Sequence, residues 1–263
     1  MKFSCDYFPK LSKTKSVCDT VPRVTHCICQ LVLVEYSMKS FWNKKNSFDS
    51  SKLTKFPPSY PNEMLVKLLS SLTYSPLAEQ LPPNAKVIEV GIFSGNNARF
   101  FLENGYQVTG SELNLEMVEL CQDNLTRLQY LPPVVTIGDN TNLALESNMF
   151  DLLVSINTIH YSAGENSKKA LKEFCRVLKP DGWAVIETPA SEHFAVQKAV
   201  RKDILSYEWH AGGFREGEEF GFFDSEQHFK DSLMGTFREV SISRRLEVYP
   251  KLTLDFWVAV CRK

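Results

Sequence analysis

Lys86-Val87-Ile88-Glu89-Val90-Gly91-Ile92-Phe93-Ser94-Gly95 is the stretch that decides the fold. An apolar run of strand length stops at Gly91, and Gly95 opens a segment of helical pattern expected over Asn96 to Asn104. A buried strand turning sharply into a crossover helix reads this way. Gly91 allows a tight turn and close backbone approach. Gly95 opens a helix whose first amides can meet a carboxylate or phosphate.

The punctuation stays regular on both sides. Upstream, Pro61-Asn62-Glu63 opens a helix carrying Met64, Leu65, Leu68, Leu69 and Leu72, and Pro82-Pro83-Asn84 makes a turn. Downstream, strands are expected over Tyr106 to Gly110, Val134 to Ile137, Phe150 to Ile156 and Trp183 to Glu187. Between them, Leu115, Val118, Cys121, Leu125 and Leu128 stripe one helix, and Leu171, Phe174, Cys175 and Leu178 another. Lys179-Pro180-Asp181-Gly182 stops that second helix. The Phe150 run is apolar almost throughout, as a strand buried on both faces should be. Strands alternating with helices predict a doubly wound, mostly parallel sheet. After Pro189 the pattern changes: a helix over His193 to Leu205, an aromatic and glycine-rich stretch from Trp209 to Phe223, a helix near Ser225 to Leu233, and strands over Glu239 to Val248 and Leu252 to Cys261. The last two form a hairpin-like pair.

Composition narrows the function. Lys+Arg 30 against Asp+Glu 31 gives a net charge of -1, without the footprint of a general nucleic-acid binder. The most apolar early run, Cys27 to Val34, falls far short of the ~20 residues a membrane span needs. Seven cysteines, an odd number, with Cys121, Cys175 and Cys261 inside apolar patterns, fit reduced thiols in the cytoplasm. No C-x2-4-C pair supports a metal site. Residues 1–37 hold the other four cysteines without any clear period and are read as a poorly ordered extension; one expectation is that translation naturally starts at Met38.

Ligands of such sheets bind beyond the carboxyl ends of the strands, where strand order reverses. The dinucleotide fingerprint G-x-G-x-x-G fails twice here, because Phe93 and Asn96 hold its second and third glycine positions. The pattern acid-x-G-x-x-x-G fits. Four more pieces follow in order: Val108-Thr109-Gly110-Ser111-Glu112, Ile137-Gly138-Asp139-Asn140, Phe150-Asp151 through His160-Tyr161, and Phe174-Cys175-Arg176 through Gly182-Trp183. Over about Ala85 to Pro189 the chain thus resembles the class I S-adenosylmethionine-dependent methyltransferases, nearest the small-molecule group called type 11. The terminal strand pair also fits, since that fold carries an antiparallel last strand in a seven-stranded sheet.

The resemblance makes residues 38–263 a methyltransferase domain with S-adenosyl-L-methionine as cofactor. It implies that the turn at Glu89, Gly91, Ser94 and Gly95 wraps the methionine moiety, with Phe93 in place of the usual middle glycine. Glu112 can accept from both ribose hydroxyls by charge-assisted bonds. Asp139, followed by Asn140, would accept from the adenine amino group, and Met117 would pack on the adenine. Asn157 would line the pocket. Each has a plainer reading: Glu89 bonding backbone amides of its turn, Asp139 capping its own backbone, Met117 filling the core. Asp151 is read as fixing the strand entrance. His160 and Tyr161 are the candidates for a base, set against a packed histidine supporting the pocket.

No Asn/Asp-Pro-Pro-aromatic motif follows the fourth strand, and no Cys lies between Cys121 and Cys175. Amino-methylation and C5-methylation of nucleobases are therefore disfavoured, and a small organic acceptor is expected. Two aromatic segments are left to recognise it: Phe41-Trp42 through Ser59-Tyr60, and Ser206 to Phe214 continuing to Phe220-Gly221-Phe222-Phe223. They suit either a lid or packing beneath the terminal strands. The rival functions are a non-catalytic cofactor-binding regulator of the same fold and a nicotinamide-dependent oxidoreductase.

Overall fold

The computed structural model describes residues 60–210 and 216–263. The expectations for residues 1–37, the Met38 start, Phe41 to Ser59 and Ala211 to Phe214 lie outside the described residues. Five parallel strands form the core of one sheet: β1 (Lys86–Val90), β2 (Gln107–Glu112), β3 (Val134–Ile137), β4 (Phe150–Ile156) and β5 (Leu178–Pro189). With β6 (Ala199–Asp203), β7 (Ser206–Trp209) and β8 (Glu219–Phe220) set aside in a second sheet, the main sheet is completed by β9 (Glu239–Tyr249) and β10 (Leu252–Arg262). Its order is β3-β2-β1-β4-β5-β10-β9, and β10 runs antiparallel to both neighbours. This is the seven-stranded, doubly wound sheet expected from the sequence. Strand order reverses between β1 and β4, so the ends at Val90 and Ile156 flank the crevice.

The helices are α1 (Glu63–Ser70), α2 (Leu77–Gln80), α3 (Asn96–Glu103), α4 (Leu115–Arg127), α5 (Glu165–Val177), α6 (Phe194–Lys198) and α7 (Glu226–Met234). Successive side chains of a strand face opposite sides. Val87, Leu152 and Val154 therefore join Leu65, Leu68 and Phe101 on one face, while Ile88, Val90 and Leu153 join Leu171, Phe174, Phe229 and Leu233 on the other. Asn62 caps α1 and Asn114 caps α4, each accepting a backbone N–H two residues on.

Several local expectations change. Leu72 follows the end of α1, and Leu115 and Leu128 sit at the ends of α4; all three are exposed because the sheet does not reach them. The helix expected over His193 to Leu205 ends at Lys198. The chain then extends into β6, which pairs with β7, and β7 with β8. Tyr207, Phe220 and Phe222 bury one another in this small sheet, with Tyr161 and Trp209 packed against them. Cross-strand burial here outweighs local helix propensity. Among the described residues of the aromatic stretch, Phe223 enters the main core.

Candidate cofactor and acceptor site

The turn after β1 has three left-handed residues in alternation: Gly91 at φ 76°, Phe93 at φ 47° and Gly95 at φ 76°. Phe93 keeps the backbone shape that a glycine would give, at a strain cost of about 1–2 kcal/mol. Its missing glycine thus changes the side chain and leaves the path of the turn intact. Gly91 N–H donates to the Ser111 carbonyl at 2.8 Å, and Gly95 N–H to that of Ile92 at 3.0 Å. A Cβ on Gly91 would lie 2.2 Å from Thr158 Oγ1, so the loop after β4 rests directly on this glycine. A Cβ on Gly95 would press on Cys121 and Leu125 of α4. Ser94 is buried, and its carbonyl accepts from Asn124 Nδ2 at 3.1 Å.

Glu112 ends β2 with its carboxylate turned to this bend. Oε2 accepts from Phe93 N–H at 3.2 Å and Oε1 from Leu113 N–H at 2.8 Å. Each oxygen keeps further accepting capacity. Burial pushes the Glu112 carboxyl up, and the amides of Leu113, Phe93 and Asn114 oppose that.

Glu89 is buried, and burial pushes its carboxyl up to about 8. Asn97 Nδ2 donates to Oε1 at 2.8 Å. That partner is a side-chain amide, and the Ala98 backbone amide also acts to lower the carboxyl. Oε2 is buried with no hydrogen-bond partner.

Asp139 is exposed, and Oδ1 accepts from both the backbone N–H and the hydroxyl of Thr141. That is the turn-capping role of its plainer reading, and it leaves Oδ2 free of these bonds. Asn140 Nδ2 reaches Ser162 Oγ at 3.3 Å and the Thr158 carbonyl at 3.5 Å, tying the loop after β3 to the loop after β4. Met117 is buried on the inner face of α4. Asp151 fixes the strand entrance, accepting from Lys86 N–H at 2.8 Å and pairing with Lys179 at 2.7 Å. His160 and Tyr161 lie in a short 3-10 turn (Ile159–Tyr161) just beyond β4. The His160 ring packs among Tyr161, Phe220 and Phe222 at centroid distances of 4.3, 5.9 and 6.1 Å, and Gly221 N–H caps its carbonyl at 2.6 Å. The packed histidine is what this arrangement provides.

The mouth also holds residues that the sequence pattern did not single out. Glu187, at the end of β5, is fully buried. It accepts from Arg245, Asn62 and Asn157. Asn62 N–H in turn donates to Asn97 Oδ1 at 2.8 Å, so one polar chain runs from Glu89 to Glu187. Asp255, also fully buried, is gripped by Arg244 at 2.7 and 2.8 Å. His193 caps α6 through Nδ1, and burial lowers it to about 4. The available signal was a carboxylate inside an apolar strand, as in Trp183 to Glu187 or Leu254-Asp255-Phe256. A charge placed there must find a partner.

Residues 88–186 match the family model described as a methyltransferase domain. An uncharacterized methyltransferase of Oceanobacillus iheyensis is 32% identical over 102 residues, which is 38% of this chain and 45% of that protein. A tRNA (carboxymethyluridine(34)-5-O)-methyltransferase of Arabidopsis thaliana is 28% identical over 115 residues, 43% of this chain and 26% of that protein. The chain thus aligns with less than half the length of either curated relative. A solved SAM-dependent methyltransferase of Methanosarcina mazei superposes with TM-score 0.59 at 16% identity, over 71% of this chain and 96% of the other. Residues 88–186 thus match a methyltransferase domain of the type 11 group, and the fold is the one shared by class I S-adenosylmethionine-dependent methyltransferases.

The residues present fit that family's cofactor, S-adenosylmethionine. A half-buried carboxylate with spare accepting capacity suits a ribose diol. A buried, unpartnered carboxylate oxygen beside the glycine turn suits an ammonium group. Among the described residues, no helix is long and apolar enough to cross a membrane.

Proposed function

We propose that this protein transfers a methyl group from S-adenosylmethionine to a small organic acceptor in the cytoplasm, with Glu89, Gly91, Ser94, Gly95, Glu112, Met117, Asp139, Asn140 and Asn157 forming the cofactor pocket. The observation that carries the reading is the Glu112 carboxylate, held against the left-handed turn by the Phe93 and Leu113 amides. When bound, the cofactor supplies an electrophilic methyl on a sulfonium. The chain's own contribution is to hold that methyl against the acceptor and to exclude water. One curated relative carries tRNA in its name. The net charge of -1 favours a small acceptor over a polyanion here.

Calorimetric titration with S-adenosylhomocysteine and with NAD tests the reading. Binding of the first and not the second is expected, and tight NAD binding alone would overturn it. Glu112→Ala should weaken S-adenosylhomocysteine by ~1.5–3 kcal/mol, the worth of hydrogen bonds to a charged group. An unchanged affinity removes Glu112 from the pocket.

Glu89 supplies a second test. With its carboxyl raised to about 8 it is protonated at pH 7. An ammonium docking on Oε2 favours the carboxylate and expels that proton. Titrations at pH 7 in buffers of different ionisation enthalpy should register release of up to one proton, absent in Glu89→Gln. Equal enthalpies in all buffers would remove Glu89 from contact with the ammonium.

A further inference from the structure

We propose that the cavity between α3 and α4 is a second ligand site, separate from the crevice at the strand ends, and that it takes a phosphate group. Its volume is about 220 Å³. Gly95, Asn96 and Arg99 line it from the side of α3, and Asn124, Arg127 and Leu128 from the side of α4. Two arginines line it and no acid does. It touches none of Glu89, Gly91, Glu112, Asp139 or Asn157, and shares only Ser94 and Gly95 with the proposed cofactor pocket. The inference therefore does not depend on the methyltransferase reading.

The cations are held in place before any ligand arrives. Asn124 is buried, and its Nδ2 donates to the Ser94 carbonyl at 3.1 Å. A carbonyl only accepts, so the orientation of this amide is settled and Oδ1 faces the other way. There it accepts from Arg127 Nη2. Asp123 lies four residues before Arg127 on the same helix and is its natural ion-pair partner. Arg127 nevertheless pairs with no carboxylate among the described residues, and its remaining guanidinium donors meet no side-chain acceptor there. A buried amide thus holds a cation with an uncompensated charge at the wall of a cavity. Arg99 is half-buried on the other wall. Its Nε donates to Glu103 at 2.8 Å, and the Tyr130 hydroxyl shares that same oxygen. Glu103 therefore offsets only part of the positive charge around the cavity.

The donor set selects the ligand. A carboxylate has two oxygens in one plane and is satisfied by a single guanidinium fork. A phosphate carries up to two negative charges and presents oxygens in several directions, so it can meet arginines on both walls. The backbone does not oppose it. The Asn124, Leu125 and Thr126 carbonyls at the negative end of α4 already accept from Leu128, Tyr130 and Gln129 N–H at 3.2, 2.9 and 2.9 Å. The first turn of α3 carries no acid, and its positive end adds to the two arginines. The cavity is smaller than the ~300–1,000 Å³ of sites for drug-sized ligands, which suits one small polar group. Free phosphate and the phosphate of a small ester share this chemistry.

The test is calorimetric titration of the full chain with inorganic phosphate and with glycerol 3-phosphate, at an ionic strength held constant with chloride. Each titration is repeated with S-adenosylhomocysteine present. Saturable binding at one site is expected, undiminished by S-adenosylhomocysteine and weakened at least tenfold in Arg127→Gln. Arg127 is exposed, so this variant keeps the fold. Lys168→Gln removes an exposed cation from α5 and should change nothing. Tighter binding of the ester assigns the site to a phosphorylated small molecule, and tighter binding of inorganic phosphate assigns it to the free ion; either supports the site. Absence of saturable binding by both anions overturns it. So does an affinity that Arg127→Gln leaves unchanged, or one that Lys168→Gln lowers equally. Displacement of the anion by S-adenosylhomocysteine would put it in the crevice and overturn the separate site. A chain that binds phosphate but not S-adenosylhomocysteine would keep this site and lose the methyltransferase reading.

Discussion

Gly91→Ala is expected to abolish S-adenosylhomocysteine binding and to destabilise the fold by roughly 2–5 kcal/mol, the sum of left-handed strain and an overpacking clash. Gly91 holds φ 76°, and the new methyl would sit 2.2 Å from Thr158 Oγ1 and 2.6 Å from Cγ2. Thr158 cannot simply swing away, because its hydroxyl donates to the Ile156 carbonyl at 3.1 Å. Relief must come from the loop after β4, which carries Asn157, or from the turn that faces Glu112. Both are parts of the proposed pocket. Gly105→Ala is the control: it shares the left-handed backbone at φ 78°, but its nearest new contact is Asn84 Oδ1 at an ordinary 3.7 Å. Denaturant unfolding of the two variants separates strain from clash. Equal losses at both positions would show that the contact with Thr158 contributes nothing.

Arg245→Ala should be the most damaging of the charge deletions, at about 3–5 kcal/mol, because it strands a buried carboxylate. Arg245 gives Glu187 two bonds and spreads its guanidinium over the Phe256 ring at 4.2 Å. Burial already pushes the Glu187 carboxyl above its ordinary value, and Arg245 is the first force against it. Without Arg245 the folded chain would hold a proton on Glu187 more tightly than the unfolded chain does. Stability of the variant should therefore be best in acid, below the ordinary carboxylate range, and should fall as pH rises through the raised value. Unfolding midpoints at pH 5 and pH 8 check the sign. A deficit that is the same at both would mean that Glu187 is not the group left unpaired.

The sheet was legible because its signals are local and repeated. Val87-Ile88, Val90 and Leu152-Leu153-Val154 are apolar within runs of strand length, and Gly91 marks where the chain must turn; Lys179-Pro180-Asp181-Gly182, read as a turn, instead lies within β5. Glu112 was legible as an acid closing a strand, and the structure adds that its carboxylate meets the Phe93 and Leu113 amides. The helix expected past His193 failed because Ala195, Val196 and Ala199 support either helix or strand locally. What decides is Tyr207, Phe220 and Phe222, which lie later in the chain and offer a partner surface. Met117 and Asp139 show the opposite limit. The structure places Met117 inside the core and Asp139 on its own turn, as their plainer readings had it, so the resemblance alone assigns them to a ligand.

By itself the sequence determined the alternation of strands and helices, the glycine bend and the acid that closes β2, since each is set by residues within one strand-turn-helix unit. Tertiary structure alone decided that Phe93 adopts a glycine's backbone, that Glu89 keeps one unmet oxygen, and that Asn62, Asn157 and Arg245 converge on Glu187. Those four residues come from segments far apart in the chain, and a buried charge finds its partners only when folding brings the segments together. No local pattern encodes which distant amide will face it.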